Sequence, residues 1–92
     1  MTIFYDVKDP EAVLDYQFDW SSVVGPNDSI IVSTWVPDAG ITIVSTAFTA
    51  TTTTVWLSGG AVGDATHQIV NHIRTNGGRQ DDQTLYLDIV EK

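Results

Sequence analysis

Cysteine is absent from this chain, positive charge is scarce, and no purely apolar run is long enough to span a bilayer. Without cysteine there are no disulfides and no thiolate metal sites. Four Lys and Arg residues stand against 12 Asp and Glu, for a net charge of −8. Such a chain cannot neutralise and release the counterions of a phosphate backbone, which excludes charge-driven nucleic-acid binding. The basic residues Lys8, Arg74, Arg79 and Lys92 are scattered and form no basic run, so an anionic membrane is no partner either. Charged residues make up 17% of the chain, well below the usual ~25%. Its polar surface therefore comes largely from Ser, Thr, Asn and Gln.

Other absences are equally informative. The opening residues Met1 to Pro10 lack a basic region followed by an apolar one, so they do not read as a signal peptide. The longest uncharged stretch, Ala39 to Gly63, is dense in Thr and Ser and broken by Gly40, Gly59 and Gly60. It is unlike a membrane span. The default reading is a soluble protein of a cell, or of a particle assembled inside one. At 92 residues the chain suits one small domain that buries roughly 65% of its unfolded surface. Its expected radius of gyration is ~12 Å, too small to enclose a deep catalytic cavity.

The hydrophobic period is two almost throughout. Leu14, Tyr16, Phe18 and Trp20 alternate with Asp15, Gln17 and Asp19, predicting a half-buried strand with one acidic face. Gly25-Pro26-Asn27-Asp28 is a turn, followed by an apolar, β-branched strand over Ser29 to Val36. Pro37-Asp38-Ala39-Gly40 is a second turn, and Ile41 opens a strand running towards Phe48. In the threonine-rich stretch that follows, Thr53, Val55 and Leu57 are expected to face in, with Thr54 and Trp56 facing out. Ser58-Gly59-Gly60 ends it. Thr66 to Thr75 follows, and Asn76-Gly77-Gly78-Arg79 is the strongest hairpin signal in the chain. Leu85, Leu87 and Ile89 mark the last strand.

Six or seven short strands, with turns roughly every ten residues, are the pattern of an all-β fold, a single antiparallel β-sandwich. Pro10 to Leu14 is expected to form one helical turn at most, capped by Asp9. Residues 1–9 are expected to form an extended N-terminal arm, and residues 10–92 the sandwich domain.

Few residues offer chemistry. His67 and His72 differ by five positions, so on one strand they leave opposite faces and cannot chelate one metal. Both are read as structural or surface residues. Asp15 and Asp19 share a face, yet four residues of strand hold them ~13 Å apart, beyond the ~5–9.5 Å of paired glycosidase carboxylates. Asp64, Asp81 and Asp82 could hold Ca²⁺ only if their loops converge, and the cation needs six to eight oxygens. The plainer reading is charge in turns. No nucleophile elbow, phosphate loop or dinucleotide fingerprint occurs. The chain reads as a non-enzyme without cofactor or metal.

Three tryptophans carry more information. Trp20 and Trp35 lie in apolar strands and belong to the core, whereas Trp56 has Thr54 and Ser58 on its own face. An outward Trp on such a face suits partner contact, and packing under a loop or the arm is the alternative. Asp6, Asp9 and Glu11, with Asp15 and Asp19, make the first twenty residues markedly negative. That run is either a solvated face or a dock for a basic partner surface.

Lys8-Asp9-Pro10-Glu11-Ala12-Val13-Leu14-Asp15-Tyr16, followed by Asp19-Trp20, resembles the opening of small virion proteins of tailed bacteriophages. Thr52 to Gly60 (TTTVWLSGG) and Asn71 to Asp82 (NHIRTNGGRQDD) are similar to the same family, whose members are labelled fibre–tail adaptors or minor head–tail structural proteins. The resemblance covers nearly the whole chain after Lys8. It implies an immunoglobulin-like sandwich, here without a disulfide between the sheets, and no catalysis. It also implies a place in the virion, after synthesis in the host cytoplasm. Two positions fit: the capsid exterior, as decoration bridging major capsid protein subunits, or the neck and tail, as an adaptor to fibre proteins. The module would be oligomeric in the particle, and the arm would add a strand to a neighbour's open sheet edge. The competing reading is a free carbohydrate- or protein-binding immunoglobulin-like domain using Trp56 and the Asp64, Asp81 and Asp82 loops.

Overall fold

A computed structural model describes residues 4–91. These residues form seven strands: β1 (Phe4–Lys8), β2 (Leu14–Asp19), β3 (Ile30–Pro37), β4 (Ile41–Phe48), β5 (Thr52–Gly59), β6 (His67–Thr75) and β7 (Gln80–Ile89). They make two sheets, one ordered β1-β7-β6-β3 and the other β2-β5-β4. The arrangement is sandwich-like and compatible with the immunoglobulin-like expectation. The radius of gyration is 13.7 Å, with extents of 43 × 23 × 20 Å. It exceeds the value for a rounder chain because two narrow sheets stack along one long axis.

Alternation places the core. On β5, Thr53, Val55 and Leu57 are buried while Thr54 and Trp56 are half-buried on the other face, as the pattern predicts. Tyr16 and Phe18 of β2 meet Ile69 and Ile73 of β6 and Leu85 and Leu87 of β7 in one buried cluster. Fully burying an apolar side chain of this size stabilises by about 1.5–3 kcal/mol. Aromatic rings gather around Phe18, with Phe4 at 4.6 Å, Trp35 at 5.3 Å, and Trp20 edge-on at 6.4 Å. These spacings suit the ring quadrupole.

The segment expected as an arm lies partly outside the described residues, over 1–3. Phe4–Lys8, by contrast, is β1, and it pairs with β7 of its own sheet, Phe4 opposite Leu85 and Lys8 opposite Ile89. Among the described residues this is the one parallel pair, and the other four are antiparallel. Between β1 and β2 the chain makes a single turn. Ala12 N donates to Asp9 O and Glu11 N to Asp9 Oδ1, so Asp9 caps a turn that goes no further.

Buried polar contacts tie the sandwich together internally. Lys8 is fully buried, and its Nζ donates to Gly59 O at 2.7 Å and Asp9 O at 2.8 Å. Gly59 lies at φ +89°, where a Cβ would stand 2.8 Å from Gly40 O. The Ser58-Gly59-Gly60 sequence thus serves a close backbone crossing. Between the sheets, Trp20 Nε1 donates to both Thr53 Oγ1 and Asn71 Oδ1, and the Asn71 amide donates to Ser33 Oγ and Thr34 O.

Candidate interaction surfaces

The outer face of the β2-β5-β4 sheet is polar around one aromatic. Trp56 pairs with Asp15 of β2 on one side and Ser45 of β4 on the other. Thr54, opposite Gln17 and Ala47, and Ser58, opposite Thr42, continue the face along β5. Trp56 is less buried than Trp20 and Trp35, because β5 alternation turns it away from the core.

The acidic residues of the N-terminal segment lie along the side where β1 and β2 form the sheet edges. Asp6 and Asp15 both act on Tyr16, whose hydroxyl donates to Val7 O at 3.3 Å. Burial, then these two carboxylates, push the Tyr16 phenol up to about 12. Glu11 is exposed in the turn that joins the strands, beside the capping residue Asp9. Asp15 therefore links two features read separately in the sequence: it belongs to the acidic side and flanks Trp56.

The Asp64, Asp81 and Asp82 loops do not converge. Asp82 pairs with His72 and accepts a hydrogen bond from its Nδ1. Asp64 lies beyond the opposite end of β6, which starts at His67. The five residues from His67 to His72 span about 17 Å. Among the described residues no group of three or more His, Asp or Glu side chains is placed to hold a metal ion.

Sequence reasoning missed a different use of His67 and Asp64. His67 is buried, with Nδ1 at 2.6 Å from Asp38 Oδ1 and Nε2 at 2.9 Å from Asp64 Oδ2. With both nitrogens facing carboxylate oxygens, the ring donates twice when it is protonated. Asp38 also accepts from Gln68 N, and Asp64 from Ala61 N. The histidine thus clamps the β3–β4 turn and the β5–β6 loop across a shallow groove of about 490 Å³. No sequence spacing announces it, since Asp38 is 29 residues away.

Burial alone would lower the His67 pKa, but the Asp38 and Asp64 partners outweigh it and hold it above the ordinary value. Burial opposes ionisation of Asp38, yet the Gln68 amide and His67 hold that carboxyl below its usual range. His67 and the Ala61 amide do the same for Asp64. The raised histidine contributes stability fully below about pH 6.5, and loses it as pH rises through its folded value. The lowered carboxylates contribute above about pH 4 and lose it as pH falls through theirs. Both carboxylates are partly exposed, so solvent screening keeps the effect modest. The wild-type chain is expected to melt a few degrees higher at pH 5.5 than at pH 8.5. In His67→Gln the difference shrinks, leaving only the part due to net charge. An unchanged difference in thermal scans of that variant would remove the clamp.

A family model described as Podophage GP4 fiber-tail adaptor protein gp77 matches residues 8–88. The matched span runs from the buried Lys8 through β6 and into the end of β7. No curated protein matches the chain.

Proposed function

Because this chain belongs to the podophage GP4 fiber-tail adaptor family, we propose that it is a non-enzymatic structural adaptor of a tailed-phage particle, seated at the tail and contacting fibre proteins. The observation that carries this reading is the extent of the family match, which takes in β2 to β6 whole. The surface geometry supports it. A rigid sheet face presents Trp56 amid small hydroxyl side chains, a suitable anchor for a protein partner. Beside it, Asp6, Asp9, Glu11 and Asp15 offer a negative flank that steers a basic partner surface. The groove at His67 offers less, because its imidazole and two carboxylates already bind one another.

Quantitative mass spectrometry of purified virions, scaled to the major capsid protein, tests the position. An adaptor is present at a copy number many times below that of the capsid protein. A Trp56→Ser chain, folded by circular dichroism, is then expected to be depleted from particles at least tenfold, roughly the effect of a contact hot spot. A copy number near that of the capsid protein would overturn the tail position in favour of capsid decoration. Absence from particles would remove the virion role.

A further inference from the structure

The four sheet edges of this sandwich are not alike. β1 carries Asp6 and Lys8, and β2 carries Asp15 and Asp19. β3 has no charge, but it ends in Pro37 and its register slips between Ile30 and Val32. These are the usual devices that protect an edge from pairing. β4 (ITIVSTAF) has neither charge nor proline. It pairs only with β5, and among the described residues no other strand covers its second edge. From Thr42 on, every residue of β4 except Ile43 is exposed, Val44 at 56% and Phe48 at 46%.

β4 is also self-complementary. Its pairing with β5 sets Ile41, Ile43, Thr46 and Phe48 opposite Gly59, Leu57, Val55 and Thr53, on the core-facing side. Thr42, Ser45 and Ala47 pair with outward residues, and the register slips at Val44, between Ile43 and Ser45. A two-fold axis through the Val44–Ser45 bond would set Ile41 against Phe48 and Ile43 against Thr46 of a second copy. Residues directly opposite in an antiparallel pair share a face, and here core-facing residues meet core-facing ones. Without the bulge the same register would set inward residues against outward ones. The bulge, elsewhere a protection, preserves the match here.

Charge selects the occupant. Asp38 is the single charged residue from Ser29 to Gly63, whereas the acids of the N-terminal twenty residues lie on the opposite, β1–β2 side. Two copies carrying −8 each can approach through the β4 edge while keeping those acids apart.

From these observations we infer that β4 is a symmetric pairing edge, at which two copies join antiparallel into one continuous six-stranded sheet. The inference does not rest on the adaptor reading, because association of the purified chain is measured without particles. Sedimentation equilibrium of the full chain up to about 1 mM detects associations as weak as ~4 kcal/mol. The wild-type chain is expected to sediment at twice its chain mass, and Val44→Asp at the chain mass, since two carboxylates would then adjoin at the axis. The double variant V44D/S45K returns to twice the mass, because the carboxylate introduced in each copy then faces the ammonium introduced in the other. Val44 and Ser45 are both exposed in the monomer, and circular dichroism verifies that the variants fold. A wild-type chain monomeric throughout the range overturns the inference. So does a dimer indifferent to V44D, or a double variant that stays monomeric.

Discussion

Asn71→Ala is expected to lower the unfolding free energy by about 4 kcal/mol, measured by urea titration. For a chain of 92 residues the whole stability is about 5–14 kcal/mol, so this is a large share of it. Asn71 is fully buried, and its Oδ1 accepts from Trp20 Nε1 at 3.1 Å and Thr53 Oγ1 at 2.6 Å. Its Nδ2 donates to Ser33 Oγ at 3.1 Å and Thr34 O at 2.9 Å. One side chain therefore joins β5 and the Trp20 that follows β2 to β6 and β3 of the other sheet. Alanine removes all four bonds, and each buried group left unpaired costs about 1–3 kcal/mol. The Trp20 indole keeps Thr53 Oγ1 as a partner, which holds the total below a simple sum. Thr53→Val is the matching milder change, at about 1–2 kcal/mol. A loss under about 1 kcal/mol for Asn71→Ala would mean that the network only fills space.

Lys8→Ala is expected to cost about 3 kcal/mol, from two hydrogen bonds made by a charged donor. Lys8 has no exposed surface, and its ammonium joins the end of β1 to the end of β5 through Gly59 O and to the following turn through Asp9 O. Burial pushes its pKa down, and the neighbouring Asp9 carboxylate opposes that shift. Lys8→Met separates charge from packing. It keeps an apolar stem of similar reach but leaves both carbonyls without the donor, so about half the loss should remain. Because β1 is an edge strand whose one strand partner is β7 among the described residues, amide exchange in Phe4–Lys8 should accelerate in both variants before that of β6. If Lys8→Met matches the wild type in both measurements, packing alone holds β1 in place.

The strands themselves were legible. The alternation from Leu14 to Trp20, the inward set Thr53, Val55 and Leu57, and the hairpin at Asn76-Gly77 all reappear in the structure. Trp20 and Trp35 are buried and Trp56 is not, as the polarity of their neighbours indicates. The pairing of β1 was not legible. Phe4-Tyr5-Asp6-Val7-Lys8 has the composition of an edge strand or of an arm, and only the docking of Phe4 on Phe18 and of Lys8 on Gly59 decides between them. The buried role of Lys8 was not legible either, because nothing near it in sequence foretells a carbonyl 51 positions away. The same holds for His67, whose partner Asp38 arrives from another loop.

From the sequence alone came the all-β character, the places where strands start and stop, and the inward-facing half of each strand. It also showed a cluster of acids in the first twenty residues and a nearly neutral middle. Each of these depends on local properties: the two-residue pleat, turn chemistry and β-branching. Tertiary structure alone decided which strands pair and which edges stay open. It put the N-terminal acids on the β1–β2 side, left the second edge of β4 unpaired among the described residues, and set Asp15 beside Trp56. Those choices depend on contacts between residues far apart in the chain. Their energies come from packing and from satisfying buried polar groups, and periodicity carries no information about either.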